Sequence, residues 1–316
     1  MTHDQLVQAV PNALSEIDLS PIGPQTSGKV REMVTLPNRS RVLVTTDRVS
    51  AFDVVLGSIP FKGQVLNQLS AWWFERTRDI VQNHVISVPD ENVTIAREAQ
   101  PLPIEVVVRG FITGVTKTSL WTMYQRGARE VYGHTLPDGL QKNDALPQAI
   151  VTPTTKAEQG GHDAPITAQE IVARGLVNAE LWAQVERVAL ALFARGRAVA
   201  RDVGLILVDT KYEFGLIDGS LVLIDEVHTP DSSRYWVADT YQRDSSNPES
   251  FDKEFLRLWF AQRGYSGDGV PPVMPPEFVA QVAGRYIAAY ERLTSLAFKA
   301  GKTPAAQRIL ERLKNL

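Results

Sequence analysis

Residues 203–236 read Val203-Gly-Leu-Ile-Leu-Val-Asp-Thr-Lys-Tyr-Glu-Phe-Gly-Leu-Ile-Asp-Gly-Ser-Leu-Val-Leu-Ile-Asp-Glu-Val-His-Thr-Pro-Asp-Ser-Ser-Arg-Tyr-Trp236. Two short apolar runs meet at Asp218-Gly219, a strong hairpin signal because both residues tolerate positive φ. Alternate residues of a strand share a face. Asp209, Lys211 and Glu213 are therefore expected on one side, with Val208, Tyr212 and Phe214 on the other. The returning strand leads to Asp225 and Glu226, then to Asp231 and Arg234 in a polar turn. An exposed hairpin would turn its polar side to water, as most alternating strands do. Residues 221–224, however, are apolar on both faces, which predicts an interior hairpin. Two carboxylates and a lysine on an interior face need a partner. Magnesium and a phosphorylated ligand would supply one. Register makes the idea testable: Glu213 and Asp225 share a side with a three-residue loop, Asp218-Gly219-Ser220, and Leu221 opposite Ile217, or with a bulge. A two-residue Asp218-Gly219 turn sets them on opposite faces.

A chain of 316 residues has room for two domains, or for one large domain with a subsidiary layer. Hydrophobic residues at 44% and charged residues at 22% are those of an ordinary globular protein. A net charge of -3 gives no reason to expect a nucleic-acid partner. No apolar run approaches the roughly 20 residues that span a bilayer, so no membrane partner is expected. Residues 1–10 lack the basic start and apolar core of a secretory signal, and a cytoplasmic setting is expected. The absence of cysteine excludes disulfides, thiolate metal sites and cysteine nucleophiles. Five scattered histidines point any metal toward a hard ion held by oxygens.

Residues 1–27, with Pro11, Pro21 and Pro24, are expected to wrap the surface. Residues 30–34 and 41–46 have strand patterns. Residues 64–83 read as an amphipathic helix with Leu66, Leu69, Trp72, Trp73 and Ile80 at helical spacing. Residues 102–108 form an apolar strand interrupted by Glu105. Thr167-Ala-Gln-Glu170 has capping-box spacing, and a long helix starts at Asn178 and closes at Gly204. Residues 249–263 and 276–299 read as helices, and Thr303-Pro304 opens a short last one. The polar stretches 133–166, 228–248 and 264–276 are expected to be functional or mobile loops.

Four further constellations carry chemistry. In Ser27-Gly28-Lys29-Val30-Arg31-Glu32, a glycine permits close approach of a polyphosphate and two alternating cations neutralise it. It is not a Walker A loop, and a solvated basic strand start has the same appearance. In Thr45-Thr46-Asp47-Arg48-Val49-Ser50-Ala51-Phe52-Asp53, Asp47, Arg48, Ser50 and Asp53 suit an amino acid's ammonium and carboxylates; equally, Asp47 suits a turn cap pairing with Arg48. In Pro103-Ile-Glu105-Val-Val107-Val-Arg109-Gly110, strand backbone groups suit an adenine edge, Glu105 needs a partner, and Arg109 suits a phosphate. In Thr152-Pro-Thr-Thr-Lys156-Ala-Glu-Gln-Gly-Gly-His162-Asp163, hydroxyls, a lysine and a Gly-Gly hinge suit a loop closing over an anion. Together they suggest an ATP-dependent transfer enzyme.

These segments, with Asp209-Thr-Lys211-Tyr-Glu213-Phe-Gly215 and Asp225-Glu226-Val-His-Thr-Pro-Asp231-Ser-Ser-Arg234, resemble the SAICAR synthetase family of purine biosynthesis. They occur in the family's order. The resemblance implies an α+β, two-lobed fold with antiparallel sheets and ATP in the cleft between the lobes. Residues 1–108 would be a β-rich ATP-binding lobe, and residues 109–316 an α+β substrate lobe with a helical C-terminus. It implies a ligase that joins L-aspartate to the carboxylate of 4-carboxy-5-aminoimidazole ribonucleotide (CAIR), spending ATP through an acyl phosphate. Gly28, Lys29, Val30 and Arg31 would hold the triphosphate, with Glu105 and Val107 on the adenosine. Glu213 and Asp225 would hold magnesium, and Lys211 would stabilise the transferring group. Arg109, Ser233 and Arg234 would anchor the ribotide phosphate. Asp47, Ser50 and Lys156 would lie near aspartate or the closing loop, and Asp209, Asp231, Asp252, Lys253 and Arg257 would support the site. One position departs: where the family carries a phosphate-binding serine, this chain has Val115, so that role falls to Thr113, Thr116 or Thr118, or is lost. A small-molecule kinase would use the same ATP site and stop at a phosphorylated product. A nucleotide-sensing module would have no need of Lys211 beside two carboxylates.

Overall fold

The computed structural model describes residues 1–52, 54–115, 119–156, 164–251 and 253–314. Asp53, Thr116, Thr118, His162, Asp163 and Asp252 lie outside them. The chain opens with α1 (His3–Ala9), where Thr2 and Gln5 form a capping box within the stretch expected to wrap the surface. Next come β1 (Gln25–Ser27), β2 (Arg31–Thr35) and β3 (Ser40–Thr45). A ribbon of β4 (Arg48–Ala51) and β5 (Val54–Ser58) leads to α2 (Lys62–Arg76), then β6 (Val85–Asp90) and β7 (Val93–Arg97). The first sheet is antiparallel, in the order β1-β2-β3-β7-β6.

A second sheet begins with β8 (Gln100–Pro101) and β9 (Ile104–Phe111). After α3 (Leu120–Gln125) and a small ribbon of β10 (Glu130–Val131) and β11 (His134–Thr135) comes β12 (Ala145–Thr155). Helices α4 (Ala168–Ala173) and α5 (Ala179–Asp202) precede β13 (Leu205–Ile217), β14 (Ser220–Ile224) and β15 (Ser233–Val237). The order is β12-β9-β13-β14, with β15 and β8 also paired to β13. The chain ends with α6 (Ala238–Arg243), α7 (Glu254–Ala261), α8 (Pro276–Thr294) and α9 (Ala305–Leu313). This is the expected α+β class with antiparallel sheets. No helix among the described residues is long and apolar enough to cross a membrane.

Local chemistry explains the helix ends. The Asn178 side chain accepts from Leu181 N at 2.8 Å to start α5, and Gly204, at φ +70°, follows its end. Thr167 and Glu170 cap α4 reciprocally, as their spacing predicts. Two expected loops contain regular structure: β11 and β12 lie within 133–166, and β15 and α6 within 228–248. Pro147 and Pro153 disguise β12; they are tolerated because it borders the sheet, with β9 on one side. Residue 108, the expected lobe boundary, falls inside β9, whose partners β12 and β13 both belong to the second sheet.

On one face of the first sheet Val34, Val42, Val44 and Val93 pack with Leu14, Leu19, and Ile309 and Leu313 of α9. The main core joins α2, α5 and α8 to Val106, Val108, Tyr212 and Phe214 of the second sheet. Gly63, in the first turn of α2, lies so close to β3 that a Cβ would stand 2.3 Å from Thr45 O and 2.8 Å from Asn92 Nδ2. Gly63→Ala is therefore expected to destabilise by about 1–3 kcal/mol, read from a denaturant titration.

Candidate active site

The hairpin strand β13 carries the site because its neighbours bring complementary charges to one face. Asp209 lies opposite Arg109 of β9 and Arg234 of β15. Its Oδ1 accepts from Arg234 Nε at 3.0 Å, while its Oδ2 lies 2.8 Å from Arg234 Nη2 and 3.4 Å from Arg109 Nη1. Two residues on, Lys211 Nζ donates to Glu105 Oε1 and Glu213 Oε1, both at 2.7 Å. Lys156, just past β12, donates to the other Glu213 oxygen. Burial works to raise the Glu213 pKa, but the charges of Lys211 and Lys156 prevail and bring it down to about 2. Burial works to lower Lys211, and its two glutamate partners outweigh that and hold it above the usual lysine range. Both groups stay ionised at neutral pH.

The opposite face of β13 behaves as alternation predicts for Tyr212 and Phe214, which join the main core. Val208 does not join them. A register shift between Leu207 and Asp209 leaves it in a small separate cluster with Phe111 and Trp236.

The expected three-residue hairpin loop is not formed. Ile217 pairs with Ser220 across a two-residue turn, with Asp218 at φ +50° and Gly219 at φ +77°. Glu213 consequently lies opposite Ile224, so simple alternation would send Asp225 to the other face. Asp225 lies just past the end of β14 at φ +69°, where strand alternation no longer fixes the direction of its side chain. It pairs there with Arg31 of β2, whose Nη2 also lies 3.9 Å from Glu226 Oε2. This contact ties the first sheet to the second.

Beside Asp209 and Lys211 lies a cavity of about 180 Å³ lined by five cationic side chains, Arg109, Lys211, Arg234, Lys253 and Arg257, against Asp209 and Asp231. Such an excess of positive charge fits an anionic ligand. Val107, Ser232 and Ser233 also line it, although the Ser233 hydroxyl donates inward to Thr210 Oγ1 at 2.7 Å. Arg234 also borders a second cavity of about 270 Å³ with Gly114 and the exposed Val115. Thr113 lines the same cavity, and its hydroxyl donates to Asn143 Oδ1 at 2.6 Å.

Asp231 is held from behind. Its Oδ2 lies 2.8 Å from Lys62 Nζ and 2.9 Å from Lys253 Nζ, and its Oδ1 accepts from Tyr286 OH at 2.6 Å. Burial opposes its charge, but the two lysines hold its pKa well below the carboxylate range. Lys62 is wholly buried, and burial pushes it down against the pull of Asp231. The sequence reading missed Lys62 and Tyr286; the tight Lys62-Gly63 helix start was the one local signal.

Other expected residues fall elsewhere. The backbone of Val107 is paired on both sides, to Thr152 of β12 and Lys211 of β13, so it does not offer a free strand edge to adenine. Glu105 finds its partner in Lys211. Both Asp47 oxygens accept backbone amides, from Leu14 and Gly63 at 2.8 Å each, which makes Asp47 a brace for the chain rather than a ligand for aspartate. Ser50 sits on the β4–β5 ribbon, paired to Val55. Gly28, Lys29 and Val30 form the bend leading into β2. Arg48 grips that bend instead of facing a substrate.

Among the described residues, no three His, Asp or Glu groups are gathered to hold a metal alone. Glu213 and Asp225 are nevertheless carboxylate oxygen donors now matched by Lys211, Lys156 and Arg31. That donor set fits magnesium, which commonly takes one or two carboxylates together with substrate phosphates.

The SAICAR synthetase family profile matches residues 25–272. A phosphoribosylaminoimidazole-succinocarboxamide synthase of Legionella pneumophila (strain Lens) is 49% identical over 314 residues, 97% of this chain and 99% of that protein. The chloroplastic synthase of Vigna aconitifolia is 56% identical over 260 residues, 80% of this chain and 75% of that one. The solved SAICAR synthase of Saccharomyces cerevisiae, complexed with SAICAR, superposes with a TM-score of 0.79 at 32% identity, covering 91% of this chain and 100% of the other. With charged face, fold and relatives in agreement, the chain belongs to the SAICAR synthetase family.

Proposed function

We propose that this protein joins L-aspartate to the carboxylate of CAIR, converting ATP to ADP and phosphate and releasing SAICAR. The observation that supports this most directly is the row Asp209-Lys211-Glu213, flanked by Arg109 and Arg234, beside a cation-lined cavity. The ribotide carboxylate is a poor acyl donor, since hydroxide leaves badly. Its oxygen attacks the γ-phosphorus and ADP departs; the aspartate amine then attacks the acyl carbon, and phosphate leaves with the bonding pair. Arg109, Ser233 and Arg234 anchor the ribotide phosphate, with Lys253, Arg257 and Asp231 shaping that cavity. Lys29, Arg31 and the bend at residues 28–31 hold the triphosphate. Lys211, fixed by Glu105, offsets charge on the transferring phosphoryl group, and Lys156 covers the same place from the β12 side. Glu213 and Asp225 would hold magnesium, which when bound neutralises phosphate oxygens and makes the γ-phosphoryl group more electrophilic.

The first sheet carries Arg31 for the triphosphate and the second the ribotide cavity and Lys211, with the division near residue 100 where β8 begins. Phosphorylated substrates that do not cross membranes suit a cytoplasmic enzyme. The purified protein should release ADP only with ribotide present, and form amide only when L-aspartate is added. A stable phosphorylated product formed without amine would identify a kinase instead. Arg234→Lys keeps the charge but loses the fork on Asp209 and the ligand; it is expected to raise the ribotide KM about ten-fold while leaving the ATP KM unchanged in steady-state assays.

A further inference from the structure

Arg48 begins β4, yet its side chain reaches back beneath the bend that leads into β2. Each of its five guanidinium N–H groups has an acceptor. Nε donates to Lys29 O at 2.9 Å, and Nη2 to Gly28 O at 2.9 Å and Arg31 O at 3.4 Å. Nη1 donates to Ser15 O and to Glu32 Oε1, both at 2.7 Å. The remaining carbonyl of the bend, Val30 O, is taken by Thr46, whose N and Oγ1 both lie at 2.9 Å. Every carbonyl from Gly28 to Arg31 is thereby engaged by Arg48 or Thr46, and Arg31 O also accepts from Gly28 N at 2.8 Å.

A trans peptide points its N–H opposite its C=O. Drawing back the Gly28, Lys29 and Val30 carbonyls turns the amides of Lys29, Val30 and Arg31 the other way. Successive amides turned together make a concavity suited to anions. Glu32 fixes the guanidinium from behind: it is buried, and also accepts from Ser27 Oγ at 2.5 Å and Gln25 Nε2 at 2.7 Å. These bonds and Arg48 outweigh the burial that would raise Glu32, and keep it ionised.

We propose that Arg48, clamped by Glu32, is a positioning residue that shapes residues 28–31 into a donor-lined cradle for the phosphates of a nucleoside triphosphate. This rests on the ATP-dependent reading above. Arg48 touches no substrate; it acts through the backbone it holds. Lysine at this position keeps a charge against Glu32 but, with three N–H groups, cannot span the same carbonyls.

The test is titration of the full-length protein with a non-hydrolysable ATP analogue by calorimetry, beside steady-state kinetics and thermal melts. In Arg48→Lys the analogue's Kd and the ATP KM should rise about ten-fold, while kcat at saturating ATP and the KM values of ribotide and aspartate stay within about two-fold. Glu32→Gln, which loosens one end of the fork, should weaken the same nucleotide binding by about three-fold and nothing else, which serves if Arg48→Lys does not fold. Wild-type nucleotide affinity in a folded Arg48→Lys protein overturns the proposal alone. Equal weakening of all three substrates reduces Arg48 to general scaffolding and also overturns it. Failure of the wild-type protein to bind the analogue overturns the proposal together with the ATP reading.

Discussion

Glu213→Gln is expected to lower turnover at least about 10²-fold, the scale of losing one preorganised electrostatic group. Glu213 is the meeting point of Lys211 and Lys156, and its charge is secured down to about pH 2 by those two cations. The substitution removes charge with almost no change of volume. Lys211 keeps Glu105 at 2.7 Å, so the fold should survive. Asp225→Asn should cost a similar factor, since it removes the other proposed metal donor and the partner of Arg31. Near-normal turnover in both variants would refute the metal assignment. Melting curves add a check with a definite sign. A carboxylate depressed on folding stabilises above its ordinary value of 4.5 and loses that contribution as pH falls toward 2. Glu213→Gln should therefore flatten the acid limb of the stability profile between those values.

Asp231→Asn is expected to destabilise the protein by about 3–5 kcal/mol, because it strands a buried lysine. Lys62 is fully enclosed, with Asp231 at 2.8 Å as its close counter-ion. The neighbouring Lys253 ammonium opposes it. Urea titration measures the loss, and a cost within experimental error of zero would show that Lys62 is neutral in the folded state. Removing both charges in Lys62→Met/Asp231→Asn should recover much of the stability, the signature of a coupled pair.

How much was legible before the structure depended on the range of the interactions. The hairpin, the caps of α4 and α5, and the charged side of β13 are local: alternation, Asp-Gly and Asn178 speak within a few residues. Asp209, Lys211 and Glu213 were correctly grouped because strand parity holds from Asp209 onward. It failed at Val208, where a bulge resets it, and at Asp225, where a left-handed residue leaves the strand. Strand β12 was hidden because two prolines argue against a strand unless one knows that it lies at an edge. The expectation that backbone groups of β9 suit an adenine edge could not take account, at Val107, of a second neighbouring strand about a hundred residues onward. Lys62 and Arg48 were illegible as to role: their partners are remote in sequence, and nothing nearby marks a buried lysine or a fully engaged guanidinium.

The arrangement around β13 bears on how the chain is made. Its thirteen residues pair with β8, β9, β14 and β15, and the Arg109–Asp209 contact closes a loop of 100 residues. During synthesis β9 emerges long before β13, and one whole side of an apolar strand stands open until then. Closing so long a loop is slow, and exposed strand edges invite association between chains. Truncation before Leu205 should thus yield a sticky fragment, and the charged row Asp209-Lys211-Glu213 can meet its partners on β9 only once β13 docks.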